Sequence, residues 1–414
     1  MKFLRTISTR RLLASIVGLV VAAGGGTAIA VAASGPGPVP KSESLAKAVH
    51  GALAAPKVAG ITADITFTNN LIGSTAFAGG SRDPILQGAT GRLWLSNDHQ
   101  LRVELQSSNG DAQVLVNQHS FWVSDPSSHT VYEGTIGAGK TAADHGAPDK
   151  PGIPSIAKIQ SELNKLMSHV DVSGAIPSDV AGHGAYTVRV SPKHDGGLLG
   201  SAELAWDAAR GVPLRFAIYA RGNPAPVLEL KATNISYGAV PASDFAVTPP
   251  AGDKVVKISS ASAHGAGSST RSHSGRDGQH ELTGASAVAA SLPFKLVAPT
   301  ELVGLPRHTV KGLDWGGHPA ALVTYGQNLG GIVVIEQTAS TATSRGNSAS
   351  HGNGSSQDSG SGGLNLPTVS INGATGHELD TALGTVVRFT RGGVAYTVLG
   401  SVPPAAADAA ARAL

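Results

Sequence analysis

Residues Gly88 to Tyr132 read GATGRLWLSNDHQLRVELQSSNGDAQVLVNQHSFWVSDPSSHTVY, and their pattern decides the fold class. Leu93-Trp94-Leu95 is followed by Asn97-Asp98, Leu101 to Leu105 by Asn109-Gly110-Asp111, Val114 to Val116 by Asn117-Gln118, and Phe121 to Val123 by Asp125-Pro126. Within the second run Leu101, Val103 and Leu105 alternate with Arg102, Glu104 and Gln106, the period of two that marks a half-buried antiparallel strand. Asn-Gly, Asn-Asp and Asp-Pro accept the backbone angles of tight turns, so the stretch predicts an up-and-down meander of four strands.

Upstream, Ile61, Ala63, Ile65 and Phe67 alternate with Thr62, Asp64, Thr66 and Thr68 and predict a first strand. Before it, Ser42 to Ala54 predicts a short helix with Leu45, Val49 and Leu53 on one stripe. Downstream, Gly134 to Pro154 reads as a long polar loop. In Ser155 to Val170, the residues Ile156, Ile159, Leu163, Leu166, Met167 and Val170 fall at helical spacing. Such a stripe suits a helix fixed on the sheet as well as a movable lid over an apolar space. Strands resume at Tyr186 to Val190, Glu203 to Trp206, Leu214 to Tyr219 and Val227 to Tyr237, and Leu214, Phe216 and Ile218 again share a face. So many strands with so few helices predict a mainly β, α+β architecture: a curved antiparallel half-barrel sheet around one or two helices. A flat sheet of that width would leave its apolar face wet. A curl that is incompletely filled is a cavity.

Gly91-Arg-Leu-Trp-Leu95, Leu101-Arg-Val-Glu-Leu105, Asp111-Ala-Gln-Val114 and Phe121-Trp-Val-Ser-Asp125 together resemble the core of the LolA-like lipoprotein-carrier family and its RseB/MucB relatives. Ala205-Trp206-Asp207, leading through Arg210-Gly211 and Pro213 into Leu214-Arg-Phe216, extends the resemblance. So does Asp244-Phe-Ala-Val247 before Pro249-Pro250, where such domains end. The resemblance covers roughly residues 42 to 258 and rests on structural patterns, so it implies a fold more firmly than a function. It also implies that the 155–170 helix is a lid over the apolar curl.

Ser259 to Ser291 is rich in Ser, Gly, Ala and His and reads as a flexible linker. A second α+β domain is expected over 292–414. Its short strands are predicted at Phe294 to Val297, Ala320 to Tyr325, Gly331 to Glu336, Thr385 to Phe389 and Val394 to Leu399. Gly392-Gly393 is a hairpin turn signal between the last two, and Pro403-Pro404 suits the start of a helix over Ala405 to Leu414. Thr338 to Gly363 is a low-complexity insertion expected to be disordered. Leu296 to Leu302, His318 to Gly326 and Leu329 to Gln337 resemble the small module that often follows a LolA-like domain.

The length of 414 residues asks for two domains. With no Cys, thiol catalysis, Cys-ligated zinc, iron-sulfur clusters and a lipobox anchor are excluded. The formal charge of +3 includes Lys2, Arg5, Arg10 and Arg11, and without them 27 basic residues face 28 acidic ones, which gives no basic surface for nucleic acid. Those four precede an uncharged run from Leu12 to Ala33, long enough to cross a bilayer and also compatible with a cleaved signal peptide at Ala30-Val31-Ala32. Either reading of residues 1–34 places the rest outside the cytoplasm, secreted or anchored to the cell membrane.

Gly134-Thr-Ile-Gly-Ala-Gly139-Lys140-Thr141 matches a P-loop pattern, but Ala142 to Gly146 and Pro148 leave no room for the helix whose N-terminus must face the phosphates. No nucleotide is expected. His119 and His129 flank one strand-turn unit and His264, His273 and His280 fall in the linker, without the close spacing of a preformed metal site, so no metal is expected. There is no Gly-x-Ser-x-Gly elbow, and Trp94, Trp122 and Trp206 read as packed residues before cleft residues. The expectation is therefore a binding protein, not an enzyme, without cofactors. The candidate cavity wall is Leu101, Val103, Leu105, Val114, Val116, Leu214, Phe216 and Ile218 on the sheet, with Ile159, Leu163, Leu166 and Met167 on the helix. The candidate ligand is a lipid or the acyl chain of a lipoprotein. The alternative is an RseB-like envelope sensor that binds a membrane regulatory protein.

Overall fold

The computed structural model describes residues 39–73, 84–98, 100–108, 110–117, 120–126, 129–135, 153–194, 196–258, 282–314, 319–339 and 366–414. The apolar run at 12–33, Lys140 with most of the P-loop pattern, His119, His264, His273 and His280, residues 259–281 of the linker, and 340–363 of the insertion lie outside the described residues.

The first sheet contains β1 (Gly60–Asn69), β2 (Ala89–Ser96), β3 (Leu101–Leu105), β4 (Ala112–Asn117), β5 (Ser120–Asp125), β6 (Thr130–Thr135), β7 (Val170–Val172), β8 (Ile176–Val180), β9 (His183–Pro192), β10 (Leu199–Asp207), β11 (Pro213–Ala220), β12 (Pro226–Tyr237) and β13 (Lys254–Ile258). Its order is β13-β6-β5-β4-β3-β2-β1-β12-β11-β10-β9-β7, with β8 also on β9. The meander is present with consecutive antiparallel neighbours, and Val131-Tyr132 opens its last strand. Closure onto β12 by β1 joins the meander to the second run of strands. One pair departs from the expected antiparallel pattern, because β13 runs parallel to β6. The chain reaches that edge by crossing the back of the meander. There Phe245 packs with Leu115, Trp122 and Val131, and Arg102 Nη1 donates to the Asp244 carbonyl at 3.0 Å.

Two devices bend the sheet. A bulge shifts the β1–β12 register between Asp64 and Ile65. At Gly91 a β-carbon would stand 1.9 Å from the Glu104 carbonyl oxygen, so only glycine lets β2 and β3 approach there.

Helix α1 (Leu45–Ala54) starts where the Ser44 hydroxyl accepts the Lys47 amide at 3.3 Å. Its buried face only partly follows the Leu45/Val49/Leu53 stripe: Leu45 packs on Tyr186 and Trp206 and Val49 is half-buried, but the most buried positions are alanines. Ala46 and Ala48 are buried, Ala48 and Ala52 meet Tyr186 and Trp206, and Leu53 is 55% exposed. Alanines allow the helix axis to come closer to the two aromatic rings than leucines would. After the short α2 (Pro84–Gln87) comes α3 (Ile156–Leu166), capped by Ser155. It ends at Leu166, and Val170 belongs to β7, not to the helix. The helix it packs against is α1, with the His50 imidazole and Pro154 carbonyl 2.9 Å apart at the junction. Among the described residues no helix is long and apolar enough to cross a membrane.

The second sheet has the order β14 (Glu301–Leu302), β15 (Leu305–Asp314), β16 (Pro319–Tyr325), β17 (Ile332–Thr338), β21 (Val394–Gly400), β20 (Gly384–Arg391), β19 (Ala374–Thr381) and β18 (Thr368–Ile371). Two helices, α4 (Ala285–Ser291) and α5 (Pro404–Ala413), cover it, with Val288, Ala407, Ala410 and Ala411 in its core. The end of the expected linker is thus part of this unit. Phe294 to Val297 is not a strand. It is an irregular strap whose Phe294, Leu296 and Val297 pack on the core. The β20–β21 turn has Gly392 and Gly393 at φ 58° and 77°, as the hairpin signal predicts.

Among the described residues the sheets are joined by main-chain contacts at Leu198–Ser401 and at Leu71 and Ile72 with Ala382 and Thr381. Leu198 N donates to the Ser401 carbonyl at 3.1 Å, Ala382 N donates to the Leu71 carbonyl at 2.8 Å, and Ile72 bridges Thr381. Ser401 Oγ donates to the Leu383 carbonyl at 2.7 Å, which ties these contacts into one patch.

Candidate functional site

Directly opposed residues of an antiparallel ladder point to the same face, so the registers assemble cross-strand rows from the sequence. One row runs Val190, Ala202, Ile218, Leu228, Asn69, and the next Val188, Leu204, Phe216, Leu230, Phe67, Ala89. Beyond it lie Ala232, Ile65, Gly91, Leu105, Ala112, then Ile235, Ala63, Leu93, Val103, Val114, Val123, Tyr132, and then Tyr237, Ile61, Leu95, Leu101, Val116, Phe121. None of these positions is charged. Apart from Asp207 at the end of β10, the charges of the central strands stand on the other face. There Arg102 lies 4.7 Å over the Trp94 ring and pairs with Glu104, and Arg215 joins Glu203 and Glu229 at 2.6 Å each. Burial of Glu203 works against its ionisation, but hydrogen bonds from Arg215, Arg189 and Tyr219 outweigh it and hold the carboxyl below its ordinary range.

Burial across the uncharged face is uneven. Leu101 and Val116 are buried at 5% and 6%, and Leu105 at 9%, whereas Leu93, Val103, Val114 and Val123 between those rows are half-buried. Phe67, Leu204, Phe216 and Leu230 are half-buried as well.

Of the residues singled out by sequence, Leu101, Val103, Leu105, Val114, Val116 and Leu214 come together in one apolar cluster. Phe216 and Ile218 extend rows on that face toward β9. The α3 residues do not share the cluster: Ile159 is buried, Leu163 and Met167 are half-buried, and Leu166 is 46% exposed. Sequence reading left out Leu93, Leu204 and Leu230, although the alternation of Leu93 with Leu95 carries the signal.

At the end of the face a polar cluster fixes the Ala205-Trp206-Asp207 turn. Buried Asp207 accepts from Tyr237 OH at 2.8 Å, from the Ala209 and Arg210 amides at 2.8 and 2.9 Å, and from Arg210 Nη1 at 3.2 Å. His183 packs edge-on to the Tyr237 ring, with centroids 5.4 Å apart. Burial and the Asp207 carboxylate both push the Tyr237 hydroxyl up, so it stays a donor. Trp94 and Trp122 belong to the cluster behind the meander and Trp206 packs under α1, so all three are packed residues. Among the described residues no three His, Asp or Glu side chains gather at metal-binding distance.

No family model matches the sequence, and no curated protein does. Among solved structures, MucB in complex with MucA(peri) is 16% identical over 88% of this chain and 94% of its own, with a TM-score of 0.38. The Pseudomonas aeruginosa MucA/MucB complex gives 16%, 89%, 94% and 0.39. A LolA superfamily protein from Nitrosomonas europaea is 11% identical over 50% of this chain and 99% of its own, with a TM-score of 0.20.

Proposed function

We propose that this chain is an extracytoplasmic binding protein that holds an acyl chain of a lipid or lipoprotein against the uncharged face of its first sheet, without covalent chemistry. The observation that supports this reading is that Leu93, Val103, Val114 and Val123 are half-buried while Leu95, Leu101 and Val116 on one side and Leu105 and Ala112 on the other are buried. Burying methylenes is worth about 0.8 kcal/mol each, so a partly enclosed chain of several carbons is held without a polar anchor.

The test is binding of a fluorescent fatty acid to the full chain carrying Val103→Phe or Phe216→Leu, measured beside the melting temperature. If the face is a binding surface, at least one variant binds more weakly while melting with the parent. Absence of binding by the parent chain sinks the reading. A second reading is a sensor that binds a membrane regulatory protein, favoured by the main-chain docking of the second sheet on the first at Leu198 and Ser401. A carrier needs no second sheet, whereas a regulator uses one to transmit occupancy of the first.

A further inference from the structure

We infer that the α1–α3 pair is a docking surface for an anionic bilayer. Ten large apolar side chains are exposed among the described residues, and six of them belong to this pair and its flanks: Val39, Leu53, Ile153, Ile156, Leu166 and Ile176. Three contacts hold them in one neighbourhood. The His50–Pro154 contact sets Ile153 beside the last turn of α1, the Glu43–Ala175 bridge sets Ile176 beside its first, and α3 packs along α1.

The stripe on α3 is longer than its contact with α1 requires. Ile159 is 7% exposed, but Ile156, nearly one turn before it, and Leu166, about two turns after it, lie on the same stripe at 42% and 46%. Apolar positions that overhang a helix contact at both ends need another apolar medium.

Charge and connectivity select which one. Over 39–58 and 153–170 there are five lysines, Lys41, Lys47, Lys57, Lys158 and Lys165, against Glu43 and Glu162, with Lys47 paired to Glu43 at 3.3 Å and Lys165 to Glu162 at 2.8 Å, while Asp171 and Asp179 stand on either side of Ile176; the chain beyond residue 34 as a whole is slightly acidic. Exposed lysines around apolar tips suit anionic headgroups over an acyl region. Val39 also follows the uncharged run Leu12 to Ala33 by six residues, a reach of roughly 20 Å even when extended. Were that run retained in a bilayer and not cleaved, it would hold α1 within that reach of the membrane. This inference does not depend on the acyl-chain reading of the sheet.

The chain has no Cys, so Leu53→Cys, Ile156→Cys and Leu166→Cys each give the full chain one labelling site, with Leu329→Cys, 52% exposed on the second unit, as reference. An environment-sensitive dye at each would be read with vesicles of phosphatidylglycerol and phosphatidylcholine that carry a nitroxide high on the acyl chain. We expect a blue shift and quenching at 53, 156 and 166 and none at 329, with the quenching reduced in phosphatidylcholine alone or by Lys41→Glu with Lys158→Glu. Quenching at the three sites no greater than at 329 overturns the inference. So does a dye already shielded before vesicles are added, since the chain itself or a second protein would then cover the surface.

Discussion

Glu336 lies in the core of the second sheet and makes its stability depend on pH. It follows Ile332 and Val334 on the inward face of β17, is fully buried, and sits opposite Ala321 on β16 and Tyr396 on β21. One carboxylate oxygen accepts the Val297 amide of the strap at 3.0 Å, and the other has no partner among the described residues. Burial pushes its pKa up to about 7, although the Val297 bond works the other way. The hydroxyls of Tyr325 and Tyr396 sense its charge and are themselves raised by burial, Tyr325 to about 12, so neither titrates near neutrality.

Because the folded state holds this proton more tightly than the unfolded one, the contribution is complete below the ordinary carboxylate range and is lost as pH rises through about 7. A shift of that size corresponds to about 3 kcal/mol. Denaturant unfolding of the full chain would be followed from pH 4 to pH 8 beside Glu336→Gln, whose carbonyl still accepts from Val297. We expect the parent to lose about 3 kcal/mol relative to the variant over that range. Burial and the neighbouring Asp408 also raise Glu378, but that group is common to both proteins and cancels in the difference. Parallel stability curves for the two proteins would refute the reasoning.

Two further outcomes follow from buried polar contacts. Asp207→Ala strands the Tyr237 hydroxyl and the Arg210 guanidinium and should destabilise the first sheet by about 3 kcal/mol, against about 1 kcal/mol for Tyr237→Phe, as read by thermal unfolding. Gly197→Ala would place a β-carbon 2.2 Å from the Ser401 carbonyl oxygen at a φ of +60°, so it should part the two sheets. Amide exchange at Leu198 and Ala382 should then accelerate by roughly tenfold or more, while Leu204 in mid-strand is unchanged. Unchanged exchange at Leu198 would show that the docking contact is not formed in solution.

The meander was legible because Leu101 to Leu105 alternates strictly and each short apolar run of the stretch ends in an Asn or Asp turn, so local chemistry and tertiary pairing agree. Strands β18 and β19 carried an equally good signal, Asn372-Gly373, whose φ values of 48° and 86° are those of a primed hairpin turn. That signal was lost among the Gly and Ser of the preceding low-complexity stretch. The strap at 294–297 misled for a different reason. Its apolar alternation is real and its side chains are packed, but its backbone pairs with no strand. The α1 stripe misled because alanine counts for little in an apolar pattern and yet allows the closest packing. The parallel β13–β6 pair had no local signal, since it depends on a crossing behind the meander that is held by Phe245 and Arg102.

These errors bear on the candidate site. A helix that met the sheet through large residues along its whole length would fill more of the curl, whereas α1 meets it through Leu45, Ala48 and Ala52 at the Tyr186–Trp206 end. The larger residues of the pair turn toward one another and outward, as the exposure of Leu53, Ile156 and Leu166 indicates. The face beyond Trp206 is therefore left to Phe216, Leu230, Phe67, Val103 and Val114, all half-buried and uncharged.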